Sequence, residues 1–351
     1  EWGKTLPPRA SRVPLDSPVY ELLAVERWNE AYQLHRRASR SRSKIALHRL
    51  RIAVKRFRYT VENFLPQRHA EWGEALKELQ DLLGEVHDLD VLWATVVRLQ
   101  KNAADQERIR WKREIESQRG QRVERYRERM AGRKSVWHQW RAALPHGEAL
   151  DSAAIDLLGT WASYLDPEFE HAQHVSKLAL ELFDGLTKGG LALQNGHPRL
   201  RTILHGAALT HDVGRAEGEK RHPKASYRMV RKLDPPPGWT VDEMQVVALV
   251  ARYHLTDMPS LRQKGFGELR SGQQKEVLFL SAVLRLANAL DYGHSSRVKR
   301  LEVKAESGGI EILAEGYTRE EPMATRLATT RHLLEIVCRR PVLILPLSVP
   351  A

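Results

Sequence analysis

The sequence predicts a mainly α protein: a helical bundle over residues 1–146, an all-helical domain over 147–297 and a small α+β extension over 298–351. Three observations carry this prediction. Apolar residues recur at spacings of three and four through most of the 351 residues, the period of helices that bury one face. Pro145-His146-Gly147 interrupts that pattern in a chain long enough for two cores. Short strand-like runs, one pair separated by Gly308-Gly309, gather at the C-terminal end.

Composition agrees with a globular chain, at 42% hydrophobic and 28% charged residues. The single cysteine, Cys338, excludes an internal disulfide and suits a reducing compartment, so a cytoplasmic setting is expected. No apolar run approaches the length of a membrane span, and the longest, 342–345, is strand-sized. The chain opens on Glu1 with neither the basic start nor the apolar core of a leader. It reads as a piece of a longer protein.

The formal net charge is +12, and +10 of it lies in residues 1–150. Residues 36–58 hold ten basic side chains and no acid. Within this run Leu47, Leu50, Val54, Phe57, Val61, Phe64 and Leu65 share one helical arc, and Lys44, His48, Arg51, Lys55, Arg58 and Tyr59 share the adjoining one. Pro66 is expected to end this helix. A solvated face would interleave acids at i+4, yet none occurs before Glu62. A polyanion would supply the missing charge, gripped by guanidinium forks and point-like ammonium groups. Nucleic acid is one candidate polyanion, although Tyr59 alone offers a stacking surface on this stripe. From Lys101 to Leu144 bases and acids alternate along a helical stretch, as in a face paired with itself. Trp111, Tyr126, Trp137 and Trp140 are expected to pack there.

The second half is nearly neutral, and its helices are expected over 151–164, 168–186, 200–211, 223–233, 241–254 and 273–291. These helices and their flanks carry His171, His205, His211-Asp212, His222, His254, Asp291 and His294, with His171, His211-Asp212 and Asp291 at helix ends. Imidazoles and carboxylates gathered from separate helices are what a divalent ion needs to bind, polarise a phosphate and activate water; Mg²⁺, Mn²⁺, Fe²⁺ and Zn²⁺ all fit such donors. Arg221, His222 and Lys224, in and after a polar loop, could hold further phosphates or simply be a charged loop. The extension is expected to form a hairpin (298–303 with 310–314), a helix over 323–338 and a strand at 342–345.

Two stretches resemble known families. His48-x-x-Arg51-x-x-x-Lys55-Arg56-x-Arg58-Tyr59, followed by Leu83-Gly84 and Asp88-Leu89-Asp90, resembles the CHAD family of helical polyphosphate-binding domains over roughly 20–145. The resemblance implies inorganic polyphosphate as partner, contacted by Arg37, Lys44, His48, Arg51, Lys55, Arg56, Arg58 and Tyr59. That family carries two basic-helix repeats and one is visible here. The other half would lie upstream of Glu1, or two chains would pair as a homodimer. His171-Ala172-Gln173-His174, Thr210-His211-Asp212-Val213-Gly214, Ala251-Arg252-Tyr253-His254 and Asn288-Ala289-Leu290-Asp291 are similar to an HD-type phosphohydrolase domain. More narrowly, they resemble the C-terminal half of the exopolyphosphatase and guanosine pentaphosphate phosphatase family. This implies a divalent metal held by His171, His211 and Asp212, with Asn288 or Asp291 supplying the last oxygen. His254 or His222 would transfer protons, and phosphorylated guanosine nucleotides join polyphosphate as substrates. Asn288 stands where HD domains place an aspartate. In many relatives this half is accessory, so a non-catalytic scaffold at polyphosphate granules is the alternative implication.

Overall fold

The structure is a computed structural model that describes residues 13–41, 43–99, 105–130, 132, 135–191, 193, 196–306 and 308–347. Arg42 of the basic run, residues 101–104 of the charged stretch and the ends of the expected first and third domains lie outside the described residues. The chain divides into two compact units, 1–154 and 155–351. No helix among the described residues is long and apolar enough to cross a membrane.

The first unit is built from α1 (Pro18–Arg40), α2 (Lys44–Phe64), α3 (Pro66–Leu99), α4 (Asp105–Met130), α5 (Val136–Ala143) and the start of α6 (Glu148–Leu165). Pro66 ends α2 as expected and opens α3, where its missing N–H costs nothing. The arc of Leu47, Leu50, Val54, Phe57 and Val61 is buried, against Trp28 of α1, Leu76 and Leu79 of α3, and Trp137 and Trp140 of α5. Trp28 Nε1 donates to the Trp137 carbonyl at 3.1 Å. The charged stretch is two helices rather than one, with Gly132 in the left-handed region at φ 85° between them. Tyr126, Trp137 and Trp140 pack as expected, whereas Trp111 is 46% exposed on α4.

One titratable group sits in this core. His35 Nδ1 meets the Tyr126 hydroxyl at 2.5 Å and its ring lies against Tyr32 and Trp137. Burial, helped by His138, pushes its imidazole down to about 4 from 6.5. The unfolded chain therefore binds the proton more readily, and this group's stabilisation, full above pH 6.5, is lost as pH falls toward 4. His35→Leu is expected to flatten that part of the pH dependence, read by denaturant unfolding followed through tryptophan fluorescence at pH 7.5 and 5. An unchanged difference between the two pH values would count against it.

The second unit continues from α6 through α7 (Phe169–Lys188), α8 (Leu200–Thr210), α9 (His222–Val230), α10 (Val241–Arg252) and α11 (Ser271–Leu290). On α7 the residues Ala172, Val175, Leu178, Ala179, Leu182 and Leu186 form the buried face. α10 starts at a capping box in which Thr240 Oγ1 accepts from Glu243 N and Glu243 Oε2 accepts from Thr240 N. α11 is buried on nearly every side from Val277 to Leu290, as a central helix must be. The extension holds β1 (Arg300–Glu306), β2 (Gly309–Glu315), α12 (Met323–Thr330), α13 (His332–Cys338) and β3 (Val342–Pro346). β1 and β2 form the expected hairpin, β3 adds parallel to β2, and the expected single helix is broken at Arg331. The sheet lies against α7 where Gly185 and Gly189 admit Val303 and Ala305. A Cβ on either glycine would fall within 2.5 Å of those side chains.

Candidate metal centre and basic face

The second unit brings the ends of five helices together. His171 is in the first turn of α7, His211 caps α8 with Asp212 following, His222 opens α9, His254 follows α10, and Asn288 and Asp291 close α11. His171, His211, Asp212, His222, His254 and Asp291 are all buried. Single donor atoms of His171, His211 and Asp212 lie within 4.8 Å of one another, as do those of Asp212, His222 and His254. Asp212 is therefore common to two groups that could hold a metal ion.

The imidazole tautomers follow from their partners. Nδ1 of His211, His222 and His254 lies 2.7, 2.6 and 2.7 Å from the carbonyls of Ala208, Glu219 and Ala251. A carbonyl only accepts, so each Nδ1 carries a proton, which in a neutral imidazole leaves the lone pair on Nε2. These Nε2 atoms converge on Asp212: His222 and His254 lie 3.2 and 3.4 Å from Oδ1, and His211 lies 3.6 Å from Oδ2. His222 and His254 also place their Nε2 atoms 3.1 Å apart. His211 Nε2 and Asp212 Oδ1 are buried without a hydrogen-bond partner. Facing lone pairs and orphaned acceptors in a buried pocket call for a proton or a cation between them.

Electrostatics point the same way. Burial, reinforced by His254 and His171, pushes His211 down to about 3, so it is neutral and able to ligate at physiological pH. Burial disfavours the Asp212 carboxylate, and positive charge or N–H groups on the surrounding imidazoles of His211, His222 and His254 would hold it well below the usual range, the compensation that a bound cation would otherwise supply. Buried carboxylate and imidazole lone pairs with backbone-anchored Nδ1–H groups are the donor set and outer support of a divalent-cation site.

The two oxygens that the sequence left as alternatives are separated. Asp291 Oδ2 takes His171 Nδ1 at 2.7 Å and its Oδ1 accepts from Ser296 N at 2.8 Å, so it stands behind the imidazole. Burial opposes its ionised form, but these hydrogen bonds hold it below its usual range. Asn288 Oδ1 is on the other side of the ring, 3.0 Å from His171 Nε2. His205 is in neither group, and Arg221 and Lys224 are exposed. His294 stacks on His171 with ring centroids 3.6 Å apart and planes at 7°. Arg215 joins Asp212 Oδ2 at 2.8 Å to His294 and Glu168. Sequence reasoning took Glu168 only as the first residue of the helix expected over 168–186; the structure starts α7 at Phe169, and the Asp166-Pro167-Glu168 turn before it was the available signal.

In the first unit the basic residues of α2 differ in the partners they meet. Lys44 is paired with Asp90 at 3.0 Å, a carboxylate that Arg119 shares. His48 lies beside His87, ring centroids 5.2 Å apart. Lys55 stands over the Tyr59 ring at 5.4 Å. Arg56 falls on the opposite flank of α2, paired with Glu30 at 3.2 Å in a hollow that Arg37 and Arg49 also line. Arg58 pairs with Glu62 at 3.4 Å. Among the described residues His48, Arg51 and Lys55 have no carboxylate partner, and Arg51 Nε is buried without any hydrogen-bond partner.

A helical unit with a basic second helix and a mainly α unit that carries a histidine and aspartate centre beside a small sheet define a mainly α, two-unit architecture. Comparison with family models makes the class specific: residues 3–97 match the CHAD domain, and residues 161–324 match Ppx/GppA phosphatase, domain III. The chain joins a CHAD domain to an exopolyphosphatase-like domain III. No curated protein matches it.

Proposed function

We propose that the chain captures inorganic polyphosphate on the CHAD domain and that the centre of its second unit is a divalent-cation site acting on phosphate. The observation that supports the second part is the convergence of three buried Nε2 lone pairs on Asp212, with every Nδ1–H spent on a backbone carbonyl. His171, His211 and Asp212, with Asn288 Oδ1 beside them, would hold one ion, and Asp212, His222 and His254 have the donors for a second. Asp291 orients His171, the outer role in which a carboxylate fixes the tautomer of a ligating imidazole. His222 and His254 are better ligands than proton carriers, because their Nδ1–H bonds lead only to backbone. A divalent ion bound there supplies Lewis acidity toward a phosphoryl oxygen and lowers the pKa of water. Arg215 balances the Asp212 charge at the exposed side of the centre, where Glu168 and His294 fix its guanidinium.

The test is phosphate release from long-chain polyphosphate, guanosine tetra- and pentaphosphate and simple nucleotides with Mn²⁺ or Mg²⁺. The wild type is compared with a variant carrying His211→Ala and Asp212→Ala. Release is expected from the wild type only; equal rates in both proteins would remove the hydrolase reading. Asn288 favours a second reading, since an amide oxygen brings no charge to the centre. A wild type that binds Mn²⁺ and polyphosphate but releases nothing would support that non-catalytic, granule-scaffold role.

A further inference from the structure

The reading of the second unit as a cation site leaves one buried acid without a role. Asp166 follows α6 directly and is 2% exposed. Its backbone N–H donates to the Ala162 carbonyl at 2.8 Å, and its Oδ1 accepts from Glu168 N at 2.9 Å. Pro167 has no N–H, and the donor that meets this carboxylate from the turn into α7 is Glu168 N. The other oxygen, Oδ2, is buried and has no hydrogen-bond partner. A turn-capping role uses Oδ1 alone and leaves Oδ2 unexplained, although an orphaned buried carboxylate oxygen is strongly unfavourable.

The surroundings tie Asp166 to the centre. Burial raises its carboxyl above the usual range, and the Asp212 charge raises it further, while Arg215 and His171 pull it down. Geometry joins it to the centre: its Oδ1 holds Glu168, whose carboxylate binds Arg215 and His294, and these in turn meet Asp212 and the His171 ring. Asp166, Asp212 and Asp291 are all buried, and the Arg215 guanidinium that meets Asp212 is shared with Glu168. His211, pushed down to about 3 by burial, brings no positive charge of its own. The pocket is short of cations.

Resting on the cation-site reading, we propose that Asp166 is an outer carboxylate of this centre, its free Oδ2 accepting a hydrogen bond from water that hydrates the bound ion. It would be a positioning residue, reaching the ion through that water while its Oδ1 holds the turn that delivers His171 and Glu168. Asp166→Asn separates the two oxygens, because the amide oxygen can keep the Glu168 N–H bond while the charge is lost. Asp166→Ala removes both.

The experiment is calorimetric titration of the full chain with Mn²⁺, alongside thermal melting of the metal-free protein. Asp166→Asn is expected to bind Mn²⁺ about tenfold more weakly than wild type, the usual effect of losing an outer partner. Its metal-free melting temperature should not fall, because a buried uncompensated charge near Asp212 has gone. Wild-type affinity in Asp166→Asn would overturn the proposal. So would weaker binding accompanied by a drop in metal-free melting temperature equal to that of Asp166→Ala, which would show collapse of the turn. A wild type that binds no Mn²⁺ would overturn both the cation-site reading and this one, whereas binding without phosphate release would count only against hydrolysis.

Discussion

Alanine at both Arg51 and Lys55 is expected to weaken binding of long-chain polyphosphate by about a hundredfold at physiological salt. A charge-assisted hydrogen bond contributes roughly 1.5–3 kcal/mol, and each tenfold step in affinity corresponds to about 1.4 kcal/mol. Neither side chain has a carboxylate partner among the described residues, and Arg51 Nε is buried without an acceptor. An incoming phosphate oxygen would therefore displace no internal ion pair. Removal of the two cations should also lower the slope of log affinity against log salt by about two, one for each lost phosphate contact. Arg56→Ala is the comparison: its guanidinium already sits on Glu30 and faces the other flank of α2, so its effect should stay below about threefold, the scale of a screened surface pair. Fluorescence anisotropy with labelled polyphosphate at several salt concentrations checks all three. Equal losses from Arg56→Ala and the double variant would show that net charge, not the face, governs capture. Competition by DNA at similar affinity would move the assignment to nucleic acid.

Gly214→Ala should damage the centre without touching a donor atom. A Cβ at this position would lie 2.5 Å from Ser226 N, 2.6 Å from Ala225 Cβ and 2.7 Å from the His222 carbonyl. Two of those atoms are backbone and cannot rotate away. The conformation of Gly214, φ −89° and ψ 4°, suits any residue, so the requirement for glycine is purely steric. It comes from the close approach of α9 to the turn after Asp212, fixed by Gly214 N donating to Ser226 Oγ at 3.0 Å. Forcing a methyl group into this contact costs about 1–3 kcal/mol, the range for overpacked sites, and pushes the start of α9 away. His222 moves with it, so Mn²⁺ affinity should fall at least tenfold, in the range seen when support of a ligand is lost. Polyphosphate binding by the first unit should persist. Calorimetry with Mn²⁺ and chemical unfolding of the same variant test this. Wild-type affinity together with wild-type stability would show that the helix yields freely.

Much of the fold was legible because burial imposes a period on sequence. The arc from Leu47 to Val61 and the face of α7 from Ala172 to Leu186 could be read in advance, and both are buried. The breaks were less legible. The stretch after residue 100 and the segment 323–338 each read as one helix, but a left-handed glycine at 132 and a break at Arg331 divide them. A single turn of broken backbone barely disturbs a 3.6-residue pattern. Trp111 was expected inside on the strength of its size and is exposed, because aromatic character does not say which side of α4 faces the core. The parallel pairing of β3 with β2 likewise had no signal in the short run at 342–345.

The sequence by itself determined the helical class, the acid-free basic run and the residue types of the centre, since each is a matter of composition, period or spacing. Tertiary structure decided what those residues do to one another. Among the described residues it paired Lys44, Arg56 and Arg58 with carboxylates and left His48, Arg51 and Lys55 without one. It put Asp291 behind His171 and Asn288 in front, although both close the same helix. It also buried Asp166, unremarkable in the sequence, with one oxygen on Glu168 N and the other without a partner. A helical projection gives the angle of a side chain around its own axis. Partners, orphaned atoms and shared charge arise only when several axes are packed together.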